Sequence, residues 1–145
     1  RLNELAAAIA LPQLADLEER NDAWRAIYTR LEAGVRDLPN LRVPHTLDEV
    51  VHAPTSFQFI VNLPPEGIEA RLAVCAERGV PIKWFGRSFA TGFTSVHRHW
   101  GYVEARALPK GDAVLAGLCD VRLPSDLTVE EVDAIVAVIR LAFGH

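Results

Sequence analysis

The sequence predicts a small α/β layer, a short sheet covered by helices and preceded by a long helix. Three observations predict it. Apolar residues recur at three- and four-residue steps over 2–33 and again near the C-terminus. Short alternating or apolar runs near residues 41, 56–63, 80–85 and 119–123 read as strands. These strands alternate with helical segments, the order expected of helices packed on one face of a sheet.

The long helix comes first. Leu2, Leu5, Ile9, Leu14, Leu17, Trp24, Ile27, Tyr28 and Leu31 make one apolar stripe, and Asp16, Glu18, Glu19, Arg20, Asp22, Arg25 and Arg30 fill the other side. Ala6, Ala7 and Ala8 offer a smooth surface for a close neighbour. Pro12 lacks a backbone donor and predicts a kink or restart. Gly34 predicts the stop, and Pro39-Asn40 a turn. Residues 41–43 follow as a short strand. Thr46 with Glu49 forms a capping box and predicts a helical turn over 46–51. Over 56–63, Phe57, Phe59 and Val61 alternate with Gln58, Ile60 and Asn62, the clearest strand. Pro64-Pro65 ends it, and Pro65 opens a helix over 66–78 closed by Gly79. Residues 80–85 read as a second short strand, and 86–113 as an irregular, glycine-containing loop. An apolar run from 113 leads to a strand around 119–123. After a turn at Ser125 or Asp126, Thr128 and Glu131 box the last helix, which buries Val132, Ile135, Val136, Ile139 and Leu141. The chain divides at the turn: 1–38 is the long helix and 39–145 the α/β unit.

The composition narrows the function. Half of the 145 residues are hydrophobic, enough for a real core, and 23% are charged. A net charge of −4 argues against a nucleic-acid binder, which carries a basic stripe. No segment is apolar for long enough to span a bilayer. Cys75 and Cys119 stand outside any Cys-x-x-Cys pair and read as buried thiols in a reducing compartment. With no signal peptide visible, the expected location is the cytoplasm. The chain opens on a helix without an initiator Met, which reads as a piece of a longer protein.

Chemistry-bearing residues are few. Lys83 and Lys110 are the only lysines, so they alone could serve a lysine-based covalent mechanism. Lys83 reads as a surface lysine whose stem covers Trp84 and Phe85. His97 and His99 form an H-x-H pair. In an extended segment both would point one way, but no carboxylate or cysteine lies close in sequence, so no metal is expected. His97, Arg98 and His99 are the candidate substrate contacts, on a loop rich in aromatic and cationic groups. Arg87, Arg98 and Arg106 carry the fork that clamps phosphates and carboxylates.

Three segments, taken in order, resemble one family. RLNELAAAIA from Arg1, followed by Gln13-Leu14, is similar to the helix after the cofactor-lysine region of the DegT/DnrJ/StrS aminotransferases. The 56–63 strand, Arg71 and Glu77-Arg78-Gly79-Val80 look like the family's small-domain strand and helix ending in a Gly-Val step. Leu123-Pro124, followed by Leu127-Thr128-Val129-Glu130-Glu131-Val132, resembles its closing motif.

The resemblance implies the C-terminal small domain of an aspartate-aminotransferase-like, fold type I enzyme. It implies a homodimer using pyridoxal 5'-phosphate (PLP), bound mainly by an upstream domain that supplies the Schiff-base lysine. The implied reaction moves an amino group from an amino acid donor to a keto-sugar, linked to a nucleotide. Arg1 matches the arginine of a Gly-x-Asn-x-Arg stretch and is the implied cofactor contact. Two departures stand out. Pro12 replaces a small residue, and Ile82-Lys83-Trp84-Phe85-Gly86 replaces a stretch that commonly bears a histidine. A sugar dehydratase of the same fold, with histidine at the lysine position, and a non-catalytic binding module are the alternatives.

Overall fold

The computed structural model describes residues 3–104 and 106–144. Arg1, the implied cofactor contact, lies outside them. The long helix is two helices, α1 (Glu4–Ala15) and α2 (Leu17–Val35). The Asn3 side chain accepts from the Ala6 amide at 2.7 Å and starts α1. Pro12 sits inside α1, and the break comes four residues later, at Asp16. Among its described residues, only the second half of the stripe is buried: Ile27 and Leu31 face the core, joined by Val35, while Leu5 and Leu14 are 71% and 62% exposed. Gly34 is not the stop. It lies in the last turn of α2, and a Cβ there would stand 2.6 Å from Cγ1 of Val136. The missing side chain lets α2 approach the last helix.

The sheet is antiparallel throughout, in the order β1-β2-β4-β3. β1 is Leu41–Arg42, β2 Ser56–Val61, β3 Lys83–Trp84 and β4 Leu118–Arg122. β3 is thus much shorter than the apolar run over 80–85 predicts. The expected turn of helix over 46–51 is also absent: a reverse turn closed by the Val50 amide on the Leu47 carbonyl at 3.0 Å stands there.

Pro65 opens α3 (Pro65–Glu77), and Gly79, at φ 79°, supplies the left-handed residue that ends it. Residues 86–113 are less irregular than expected. Their described residues include a 3-10 turn at His97–His99 and the start of α4 (Pro109–Gly117). The Thr128–Glu131 box forms as predicted, with the Glu131 carboxylate accepting from the Thr128 amide at 2.8 Å, and opens α5 (Val129–Phe143).

One sheet face carries the core. Phe57, Phe59, Val61, Cys119 and Val121 meet Ile27 and Leu31 of α2, Ile68 and Leu72 of α3, and Val132, Ile139 and Phe143 of α5. Phe59 meets Phe143 edge-on with centroids 5.9 Å apart. Burying each such side chain stabilises by about 1.5–3 kcal/mol. Polar ties set the helices at the rim. Arg30 forks onto Asp133 at 2.6 and 2.7 Å, and the Trp24 indole donates to the Leu123 carbonyl at 2.9 Å.

Candidate functional site

The residues after β3 gather around one carboxylate. Pro109 opens α4 and places Asp112 in its first turn. Arg98 donates to Asp112 Oδ1 at 3.1 Å, and His97 Nε2 stands 3.5 Å from the same oxygen. The Leu108 amide donates to Oδ2 at 3.4 Å. Asp112 therefore ties the 3-10 turn to the helix that leads into β4. No local pattern signals this cluster, because Asp112 lies 14 residues beyond Arg98 in the chain.

The H-x-H pair is not extended. In a 3-10 turn, residues two apart point in different directions. His97 turns toward Asp112, while His99 Nδ1 accepts from the Val96 amide at 3.2 Å. That bond leaves the His99 N–H on Nε2, which is buried and without a hydrogen-bond partner among the described residues. Among those residues no group of three or more His, Cys, Asp or Glu could hold a metal. Trp100 donates to Ser95 Oγ at 3.0 Å and stacks on Tyr102, their planes 4° apart. The loop thus brings His97 and Arg98 onto one carboxylate and leaves Phe93 and Tyr102 largely exposed.

A second polar group crosses the sheet. Register sets Gln58, Asp120 and Lys83 side by side in one row. Their face is opposite to the one carrying Phe57, Phe59 and Cys119, since neighbours in a strand alternate. Asp120 is 7% exposed. Gln58 Nε2 donates to its Oδ2 at 3.5 Å, and Lys83 Nζ stands 3.8 Å from Oδ1. A buried carboxylate needs such a partner. Lys83 also borders a cavity of about 290 Å³ with Trp84, Arg87, Thr91, Phe93 and Thr94. Arg87 is already engaged by Glu69, at 3.0 and 2.7 Å. The one signal for this row in the sequence is Asp120 itself, a carboxylate between the apolar Cys119 and Val121.

The thiols carry no nucleophile at neutral pH. Burial pushes Cys75 up to about 11 and Cys119 up to about 12. The nearby Arg78 lowers the first slightly, and Cys75 and Asp120 raise the second further.

The architecture has close counterparts. The aminotransferase TlmJ from Streptoalloteichus hindustanus superposes with a TM-score of 0.80 at 22% identity, over 98% of this chain and 37% of that one. A DegT DnrJ EryC1 StrS aminotransferase from Brucella abortus gives 0.75 at 21% identity, over 100% of this chain and 37% of that one. The sugar aminotransferase CalS13 from Micromonospora echinospora gives 0.75 at 17%, over 97% and 35%. At these identities the likeness establishes a shared fold, that of one part of a fold type I aminotransferase. The chain spans little more than a third of the length of these structures. A search of curated protein sequences found no match. The sequence itself carries the decisive likeness, because the description of the DegT/DnrJ/EryC1/StrS aminotransferases matches residues 1–140. The chain belongs to that family.

Proposed function

We propose that the protein is a PLP-dependent aminotransferase that passes an amino group from an amino acid to a keto-sugar linked to a nucleotide. The family match over residues 1–140 carries this reading. The family's enzymes depend on PLP, which supplies the electron sink that lets an amino group leave one carbon and join another.

The described residues of this chain do not themselves fit the cofactor. A cofactor imine needs an amine that is both uncommitted and enclosed with the cofactor away from bulk water. Lys83 is ion-paired with the buried Asp120 at 3.8 Å, and Lys110 is exposed at the start of α4. The reading therefore assigns the Schiff-base lysine to the rest of the protein and gives this chain the positioning and closing work. Residues 39–145 act as the small domain that covers bound substrate and excludes water. Residues 1–38 lead into it from the cofactor-binding part, with Arg1 at the cofactor. His97 and Arg98 face the substrate, and His99, with Nδ1 on the Val96 amide and Nε2 buried, holds the turn that carries them.

The working form is a cytoplasmic homodimer. The exposed apolar side of α1 (Leu5, Ile9, Leu11 and Leu14) supports a covered position for that helix in the whole protein. No helix among the described residues is long and apolar enough to cross a membrane.

Borohydride reduction of the full-length protein, followed by peptide mapping, tests the assignment. A pyridoxyl label is expected on a lysine outside this chain. A label on Lys83 or Lys110 would overturn it.

A further inference from the structure

The cavity beside β3, about 290 Å³, has two walls of different kinds. Ile82, Lys83, Trp84 and Arg87 form the first, in the strand or next to it. That wall is fixed. The Trp84 indole donates to the Ala116 carbonyl at 2.8 Å, and the Phe85 amide to the Leu118 carbonyl at 3.0 Å. A Cβ on Gly86 would collide with the Ala116 carbonyl and the Trp84 indole, so the chain leaves β3 pressed against the end of α4.

Thr91, Phe93 and Thr94 form the second wall, on a tight hairpin that is closed on itself. The Thr91 amide donates to the Thr94 carbonyl at 3.1 Å, and the Thr94 amide to the Thr91 carbonyl at 3.0 Å. Gly92, at φ 56°, makes the turn between them. Phe93, at the tip, is fully exposed. Ser95 Oγ accepts from the Trp100 indole of the same loop. Among the described residues, no hydrogen bond or ion pair joins 88–95 to any residue outside 88–100. A segment that satisfies its own backbone and makes no such tie to its surroundings opens at low cost.

Side chains on either flank hold this hairpin in place. Arg87, ahead of it, forks onto Glu69 of α3 at 3.0 and 2.7 Å. Arg98, beyond it, donates to Asp112 of α4 at 3.1 Å. Val96, between the hairpin and the second tie, is buried apart from the core cluster. Both ion pairs are partly exposed to solvent. Pairs in that setting are weak, and salt screens them. The movable wall is thus held by the two ties most sensitive to the solution around them.

We propose that residues 88–95 are a lid over the cavity beside β3, latched shut by Arg87–Glu69 and Arg98–Asp112 and pivoting at Gly86 and Val96. Release of the latches opens the cavity to solvent, and rising ionic strength releases them. The lid rests on this geometry and stands apart from the aminotransferase reading.

Hydroxyl-radical footprinting of the full-length protein, read residue by residue by peptide mass spectrometry, tests it. Trp84, buried and lining the cavity, reports on the lid. Trp24, tied to the Leu123 carbonyl at 2.9 Å, reports on the rest of the fold. Glu69→Gln should raise Trp84 oxidation about two- to fivefold, the bias that one exposed ion pair gives an equilibrium. Adding Asp112→Asn should raise it further, while Trp24 keeps its wild-type rate. Salt at about 0.5 M should raise Trp84 oxidation relative to Trp24 in the wild type and add little in the double variant. Glu66→Gln, which removes a charge of α3 outside either latch, should match the wild type. Trp84 oxidation that is unchanged in the double variant, or that ignores salt in the wild type, would overturn the proposal. So would a rise that Trp24 shares, or one that Glu66→Gln reproduces.

Discussion

Arg140 grips Asp37 through both terminal guanidinium nitrogens, at 2.5 and 2.9 Å, and one of them also donates to the Gly34 carbonyl at 2.8 Å. One side chain near the end of α5 thereby fixes the end of α2. The hydrogen bond from Arg140 holds the Asp37 carboxyl below its ordinary value, and Arg30 does the same for Asp133.

Acid should release both clamps. A carboxyl lowered on folding contributes stability above its unfolded value, about 3.9, and the contribution is lost as pH falls through the folded value. Asp37→Asn combined with Asp133→Asn should therefore flatten the acid limb of a melting-temperature profile below about pH 4. Both pairs are exposed, so the loss at neutral pH should be small. An unchanged acid limb would show that other carboxylates set it.

Thiol reagents should reach neither cysteine of this chain in the native protein. Cys75 and Cys119 are fully buried and raised by that burial to about 11 and about 12. A raised thiol contributes stability in full below its unfolded value, about 8.5, and loses it as pH climbs through the folded value. At pH 8, within this chain, neither cysteine should label until denaturant is added, and then both should. Rapid native labelling of either would contradict the packing around α3 and β4.

His97→Ala in the full-length protein should raise the barrier measured by kcat/KM by about 1–3 kcal/mol, a loss of about 5- to 150-fold, with the melting temperature unchanged. Asp112→Ala should lower it as well, by freeing His97 and Arg98 together, and the two substitutions combined should be less than additive. A melting temperature that falls while the kinetic constants hold would make the cluster a structural pin and remove His97 from the site.

The two capping boxes explain much of what the sequence could and could not say. Thr128 and Glu131 precede residues that bury Val132, Ile139 and Phe143, and a helix forms. Thr46 and Glu49 carry the same pattern, yet Leu47, Val50 and Val51 are all more than half exposed, and no helix forms. A cap adds only about 1 kcal/mol, and an apolar face against the core must supply the rest. β2 was legible because its alternation matches its burial residue by residue. α4 was not, because Gly117 is its only buried residue and its anchors lie far off in sequence, at Trp84 and Arg98. The candidate site was legible as residue types on a loop. Its organisation around Asp112, and the Gln58–Asp120–Lys83 row, come from pairings across long stretches of chain that no local pattern encodes.

The position of β4 between β2 and β3 governs the order in which the sheet can assemble. Neither neighbour can pair with the other, so both wait for a strand that begins at Leu118. A ribosome delivers that strand only after the whole excursion from β3 through α4 has been made, with β2 holding a bare edge in the meantime. Closing such a long loop is slow relative to forming a helix. The late strand is thus the step at which a nascent chain of this kind is most open to pairing with the wrong partner.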